Sequence, residues 1–442
     1  MEWYSALGLM IGLICLLMAL GMPVALAFFA TNFVGAFLFL GGLAGLQSVV
    51  RGAMASISNF NLAAIPLFLI MGELLLRSGL AFKAVDAVDR LISRVPGRIS
   101  VVAVTGGTVF SALSGSTIAT TAMLGQALLP DMLRRGYHPT MAMGPIMAIG
   151  GVDMLIPPSA LTVLLATLAS GVSSVKMSVS DLLIAGIVPG LIMSVLFVGY
   201  IVARCAANPA LAPTEPPRAM RRRERWLPFF THVVPLFVIF VVVMGSMFAG
   251  IASPTDSAAL GCLATVLLGI AYRALSWRIL LDSLRGTAAT TTMIFFIVAA
   301  STTFAQLLAF SGATDGALAE IVKFELTPLV AVLAMIGILL VLGCFMDQAS
   351  MMLLTLPFFM PVANALQLDV IWLGVILLIS MQIGLLTPPF GLLLFVMKST
   401  APPGITMGQV WRAATPFTVM VFLVLLLVVA APPLVTWLPG LS

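Results

Sequence analysis

Apolar runs of about 20 residues recur along almost the whole chain, and each is long enough to cross a hydrocarbon core about 30 Å thick as a helix. They lack the polar and apolar alternation over about 10 residues that marks a barrel strand. The pattern predicts an all-α polytopic membrane protein. Ten complete crossings are expected, near 3–20, 23–45, 60–77, 142–170, 181–203, 228–249, 255–273, 287–310, 370–399 and 411–435. Two of these are broken: Pro157-Pro158 in 142–170 and Pro388-Pro389 in 370–399 remove backbone donors and clash with the preceding turn. Two further apolar stretches, 98–130 and 328–362, are interrupted at mid-depth by "LSGST" (Leu113 to Thr117) and "GCFMDQ" (Gly343 to Gln348). Arms of about 15 residues are too short to cross, so each stretch is expected to dip in and return as a re-entrant hairpin.

The two halves of the chain repeat one another. Pro23 pairs with Pro254, Ser78-Gly79 with Ser311-Gly312, Pro96 with Pro328, Pro130 with Pro361, and Pro157-Pro158 with Pro388-Pro389, all at offsets of 231 to 233. Each half holds five crossings, an odd number, so the second is expected to enter the membrane upside down: an inverted repeat. The expected division is 1–203, a basic cytoplasmic linker at 204–227, and 228–442. With the N-terminus outside, every Lys and Arg of the 21 except Arg51, Lys176 and Lys323 falls on the inner side, Arg94 and Arg218 among them. That is the positive-inside bias.

Composition changes the picture little. Hydrophobic residues make up 61% of the chain and charged ones 8%, against about 25% charged in soluble domains. The net charge of +5 records membrane orientation and does not point to nucleic acid. The N-terminus "MEWYSALGLM" has no basic residue before its apolar run, so the first run is expected to remain as a span. Cys15, Cys205, Cys262 and Cys344 stand singly, and His138 and His232 stand far apart, a pattern with little material for a zinc or haem site.

Irregular backbone survives in hydrocarbon only where protein or a watery cavity surrounds it, and in transporters built from inverted repeats such places hold ions and substrate. In the first half the oxygens within reach are the hydroxyls of Ser114, Ser116 and Thr117 and the carbonyls around Gly151, Ile156 and Pro157, with Gly115 small enough to let the tip approach. In the second half they are Asp347, carbonyls near Gly343 and Gly384, and Thr387. Hard oxygen donors suit Na⁺. Each broken span is expected to face the hairpin of its own half. Ser116, Thr117, Ser159, Gln348 and Pro388 are the candidate contacts to substrate, whose carboxylate would face hairpin helix N-termini. Acids inside spans are functional candidates by default: Asp347 for a cation or for holding the tip, and Asp153 for a cation or for a packing hydrogen bond. Asp256 reads as a helix cap, and Glu73 as an i,i+4 partner of Arg77. The amphipathic stretch 80–97 and its counterpart 313–327 read as arms lying along the two membrane surfaces.

The segments "IPLFLIMGELLLRSGLA" (Ile65 to Ala81), "SGSTIATTAMLGQALLPDMLRRGY" (Ser114 to Tyr137), "LIPPS" (Leu155 to Ser159), "AGIVPGL" (Ala185 to Leu191), "FMDQASMMLLTLPFFMP" (Phe345 to Pro361) and "LLTPPFGLLLF" (Leu385 to Phe395) give the chain its resemblance to a known family. It resembles the large membrane subunit of the tripartite ATP-independent periplasmic (TRAP) transporters. The resemblance implies a Na⁺-coupled elevator importer in the bacterial inner membrane, needing no other cofactor. It implies as partners a periplasmic solute-binding protein that delivers a small carboxylate and a separate small four-span subunit. The implied sites fall on Ser114 to Thr117 with Gly151 to Pro158, and on Asp347 with Gly384 and Thr387. Two positions depart from the family pattern: Ser380 stands where many members carry Asn, and Asp153 where a small or neutral residue is common. A binding-protein-independent antiporter is the alternative within the same architecture. An intramembrane hydrolase is the alternative from another class, and no span carries a His near a Ser to support it.

Overall fold

The computed structural model describes residues 2–92, 95–114, 116–172, 176–213, 221–323, 327–389 and 391–441. Arg94, Gly115 and Arg218, singled out above, lie outside the described residues, as does the side chain of Ser114. Among the described residues the regular structure is entirely helical. In chain order the helices are α1 (Trp3–Ala19), α2 (Val24–Phe39), α3 (Leu43–Ile57), α4 (Ala64–Arg77), α5 (Leu80–Leu91), α6 (Arg98–Ser114), α7 (Thr117–Arg134), α8 (Pro139–Val152), α9 (Ala160–Val172), α10 (Val179–Ala185) and α11 (Ile187–Ala207). Then come α12 (Arg222–Pro228), α13 (Val234–Phe248), α14 (Pro254–Ala271), α15 (Trp277–Phe310), α16 (Ala313–Lys323), α17 (Pro328–Gly343), α18 (Gln348–Ala365), α19 (Val370–Leu385), α20 (Leu392–Thr400), α21 (Met407–Ala430) and α22 (Pro433–Thr436).

The helix order of the first half recurs in the second. Helices α6, α7, α8 and α9 begin at 98, 117, 139 and 160, and α17, α18, α19 and α20 at 328, 348, 370 and 392, each about 230 residues later. The same displacement carries α1 and α2 onto α13 and α14, and α5 onto α16. The pair α3 and α4 corresponds to the single 34-residue helix α15. Local chemistry accounts for the starts: Thr327, Asp369, Ser178 and Thr406 accept first-turn amides as N-caps. Ser253 and Asp256 form a reciprocal capping box at the start of α14, the role expected of Asp256.

The ten expected crossings need correction at several boundaries. Six described stretches are long and apolar enough to span a membrane: Phe60–Arg77, Val179–Ala207, Arg222–Phe248, Pro254–Ala271, Trp277–Phe310 and Met407–Ala430. The expected span 23–45 ends at Phe39, and α3 follows as a separate helix whose Gln47 and Arg51 make one side polar. The span expected at 287–310 is the second part of α15. The linker 204–227 is partly helical: α12 packs on α5, and Arg225 Nη2 donates to the Leu91 carbonyl at 2.6 Å, capping the arm's C-terminus.

Packing separates an outer frame from an inner block. In the frame, α14 lies against α4, α15 against α2, α3 and α4, α13 against α14, and α1 against α2. Lipid tails are as apolar as leucine, so such helices are held by close packing and by polar contacts. One such contact is Asn32, buried in α2, whose Nδ2 donates to the Ala300 carbonyl at 2.9 Å and Thr303 Oγ1 at 2.7 Å in α15. Outward faces of α13 and α14 expose Phe237, Val241, Leu263 and Leu267, side chains that lipid accepts. In the block, α6 and α7 form one hairpin and α17 and α18 another, packed around α8, α9, α19, α20 and α21. The arm α5 leaves α4 beside the Glu73–Arg77 ion pair (2.6 Å) and is tied to the first hairpin by Arg98 and Asp89 (2.6 Å).

Candidate functional site

Two places bring broken helix and hairpin turn together. In the first half α8 ends at Val152 and α9 starts at Ala160, with Pro157 and Pro158 between them joined by a cis bond. The freed groups turn back on their own chain: Leu155 and Ile156 N–H both donate to the Val152 carbonyl, at 3.0 and 3.1 Å. Ser159 Oγ accepts Thr162 N–H at 3.3 Å, and Thr162 Oγ1 donates to the Met154 carbonyl at 2.5 Å. Residues 151–160 are all buried. The Leu155 carbonyl lies where a Cβ on Gly186 would be 2.3 Å from it, so that stretch is sealed by protein.

The hairpin turn of this half meets the break directly. Ser116 is the N-cap of α7, its Oγ accepting Ala119 N–H at 3.4 Å. Thr117, next along, donates its hydroxyl to Asp153 Oδ1 at 2.6 Å. Asp153 is 1% exposed. The adjacent Met154 N–H donates to the Gly151 carbonyl at 3.4 Å, and Asp153 Oδ2 has no hydrogen-bond partner among the described residues. A small cavity of about 40 Å³ separates Ser116 from Glu73 of α4 and from Thr287 and Thr290 of α15, so this tip abuts the frame.

The second half uses the same frame of helices with different chemistry. Pro388 and Pro389 are again joined by a cis bond, but both are exposed. Thr387 N–H donates to the Gly384 carbonyl at 3.1 Å, and Thr387 Oγ1 to the Ile383 carbonyl at 2.7 Å. Asp347 is the N-cap of α18: Oδ2 accepts Ala349 and Ser350 N–H at 3.1 and 3.3 Å, and Oδ1 accepts the Ser350 hydroxyl. Asp347 therefore holds the tip, one of its two expected roles, with lone pairs left for a further partner. Gly343 and Gly384 touch backbone to backbone, since a Cβ on either would lie 2.5 or 2.6 Å from the other's Cα. Both glycines are there for close approach. Cys344 Sγ donates to the Pro388 carbonyl at 3.5 Å.

The expectation that each broken span faces its own hairpin holds only for the first arms, α8 against α6 and α7, and α19 against α17. The second arms cross over: α9 packs on α18, and α20 on α7. As a result the tip of the second hairpin also reaches the first break, where Gln348 Nε2 lies 3.8 Å from Met154 Sδ. Of the expected residues, Thr117, Asp153, Gly151 and Gln348 gather around the end of α8, with Ile156 and Pro157 buried beside them. Gly343, Asp347, Gly384, Thr387 and Pro388 gather at the second break. The Ser380 hydroxyl donates to the Ile376 carbonyl of its own helix at 2.7 Å.

Two residues were not anticipated. Gln382 and Thr121 are fully buried, and neither the amide atoms of Gln382 nor Oγ1 of Thr121 has a hydrogen-bond partner among the described residues. Gln382 lies on Gly151 and Thr121 on Gly150. A lone Gln inside an apolar run was the available signal for the first; Thr121 stands one turn beyond Thr117 on the same helix face.

Comparison with known proteins bears on the whole chain. Residues 11–434 match the family described as the tripartite ATP-independent periplasmic transporter, DctM component. A large permease protein of a C4-dicarboxylate TRAP transporter from Pseudomonas aeruginosa is 32% identical over 87% of this chain and 86% of its own length. A large permease protein of an ectoine/5-hydroxyectoine TRAP transporter from Ruegeria pomeroyi is 29% identical over 96% of this chain and 97% of its own. Among solved structures, the YdaH transporter of Alcanivorax borkumensis superposes with a TM-score of 0.65 at 14% identity, covering 88% of this chain and 89% of that one. That likeness concerns the fold.

Proposed function

Because the chain belongs to the DctM component family of the TRAP transporters, we propose that it is the large membrane subunit of a Na⁺-coupled importer of small organic acids. A periplasmic solute-binding protein delivers the acid, and a small four-span subunit completes the membrane part. The two halves form an inverted repeat with the N-terminus on the periplasmic side of the inner membrane, in keeping with the placement of Lys and Arg. The observation that carries this reading is the convergence at the end of α8, where Thr117 and Gln348, both at hairpin turns, meet Asp153 and Met154 of a broken helix.

Na⁺ enters as a transported substrate. The donors fit a hard monovalent cation: a carboxylate at each half, hydroxyls, and carbonyls of irregular backbone. Among the described residues no Lys, Arg or His forms an ion pair with Asp153 or Asp347. The anion then faces the N-terminus of α7, whose cap is the neutral Ser116, whereas the first amides of α18 are already taken by Asp347. A polar cleft of about 530 Å³, lined by Asn59, Asn61, Ser170, Lys176 and Ser178, lies between the frame and α9–α10 and gives an acid a cationic approach. Transport follows an elevator motion, with α5 and α16 as the arms on which the block is carried past the frame. Each Na⁺ crossing a potential of 100 mV contributes about 2.3 kcal/mol to accumulation.

Reconstitution of the chain with its small subunit, supplied with loaded binding protein, tests the reading. Accumulation is expected with an inward Na⁺ gradient and not when K⁺ replaces Na⁺. Equal accumulation in K⁺ rejects Na⁺ coupling, and uptake of free acid without binding protein favours antiport of the binding-protein-independent kind. The relatives carry chemically different acids by name, a C4-dicarboxylate and ectoine; the ligand of the cognate binding protein, found by its melting shift, fixes the cargo.

A further inference from the structure

Three buried polar groups without hydrogen-bond partners lie within one turn of the end of α8: Asp153 Oδ2, Thr121 Oγ1 and the amide of Gln382. Their placement is set by two glycines. A Cβ on Gly150 would fall 1.9 Å from Thr121 Oγ1, and one on Gly151 would fall 2.6 Å from Gln382 Cγ and 2.8 Å from Nε2. Thr121 stands one turn along α7 from Thr117, whose hydroxyl holds the other carboxylate oxygen, and Gly150 precedes Asp153 by three residues. Both spacings place residues on one helix face, so Thr121 stacks on the Thr117–Asp153 contact.

Charge offers no other explanation. The elements packed on this end of α8 carry their ionisable residues elsewhere: Arg98 in the first turn of α6, Asp131 and Arg134 in the last turns of α7, Lys398 near the end of α20 and Arg412 near the start of α21. Asp131 is 14 residues beyond Thr117, about 21 Å along the helix axis. Helices α9 and α19 contain no charged residue.

We infer that Asp153, Thr121 and Gln382 form a cation site shared between the two halves of the chain. Gln382 occupies the position in α19 that Gly151 occupies in α8, 231 residues earlier, and the two touch. The site thus straddles the contact of the two broken helices instead of belonging to one hairpin and its break. Bound Na⁺ takes Asp153 Oδ2, Thr121 Oγ1 and Gln382 Oε1, which satisfies one atom of each orphaned group and balances the single carboxylate with a single positive charge. Its occupancy ties α8 to α19 and so joins the halves of the block before it moves.

The inference deepens the Na⁺ reading above, and the test separates them. Purified full-length protein is melted in choline chloride and in NaCl or KCl at constant ionic strength, since a ligand that binds only the folded state raises the melting temperature. The wild type is expected to gain stability with Na⁺ and not with K⁺. Gln382→Leu and Thr121→Val remove orphaned polar atoms, so each is expected to melt at or above the wild-type temperature in choline while needing at least tenfold more Na⁺ for half its shift. Gln382→Glu keeps an oxygen donor and is expected to hold the wild-type Na⁺ midpoint or lower it. Variants that melt lower in choline with an unchanged Na⁺ midpoint overturn the inference, because the groups then serve packing alone. If that happens while uptake remains Na⁺-driven, the coupling reading stands; if uptake is indifferent to Na⁺, the coupling reading falls.

Discussion

The two breaks share a backbone plan and differ in where the acid sits. In the first half the carboxylate is on the broken helix, at Asp153, and the hairpin tip is capped by neutral Ser116. In the second half the carboxylate is on the tip, at Asp347, and the equivalent of Asp153 on the broken helix is Gly384, pressed against Gly343. Asp347 spends its oxygens on the first turn of α18, whereas Asp153 keeps one oxygen unpaired in a sealed interior. The first break is buried and the second is exposed at its prolines. A duplicated scaffold therefore supplies two interruptions, and the side chains at equivalent positions give one an ion-demanding interior and the other a preformed, accessible cap.

The contrast is broken most severely by moving the acid. Gly384→Asp forces a Cβ to within 2.6 Å of the Gly343 backbone, at the upper end of the roughly 1–3 kcal/mol that overpacking costs. Little monodisperse protein is expected on size exclusion. Asp153→Gly adds no atom and is expected to purify normally; similar yields for the two substitutions would deny that close packing fixes Gly384. A smaller effect follows from the caps. Asp347→Ala removes two backbone hydrogen bonds and one from a hydroxyl, a loss of about 1–2 kcal/mol in thermal unfolding. Ser116→Ala removes one long bond of 3.4 Å, so about 0.5 kcal/mol or less is expected, at the low end of N-cap substitutions. Equal losses at the two tips would erase the distinction drawn between them.

Much of this plan was legible in the chain because it is written in local chemistry. Pro-Pro pairs break helices wherever they fall, and a polar interruption such as "SGS" or "MDQ" within an apolar run marks a turn. The arms around 80–97 and 313–327 were equally readable from their charges. Helix α3 was not, because its residues form one apolar side and one polar side and never a continuous apolar run. The continuity of α15 was hidden by Arg278, Asp282 and Arg285, which resemble a loop yet sit on helical turns as Asp282 pairs with both arginines. The crossing of second arms onto the opposite hairpin depends on contacts about 200 residues apart in the chain, which no local pattern encodes. Gln382 and Thr121 were passed over for the same reason: their partners Gly151 and Gly150 become neighbours only when α7, α8 and α19 pack.

The central claim is that broken backbone, hairpin turn and carboxylate combine to hold Na⁺ at each half. Equilibrium binding of radioactive Na⁺ to the purified protein tests it most directly, in the wild type, in Asp153→Leu and in Asp347→Ala. The account predicts saturable binding in the wild type at a separate site for each half, with each variant losing one site and retaining the other. No saturable Na⁺ binding, or full stoichiometry preserved in both variants, would contradict it.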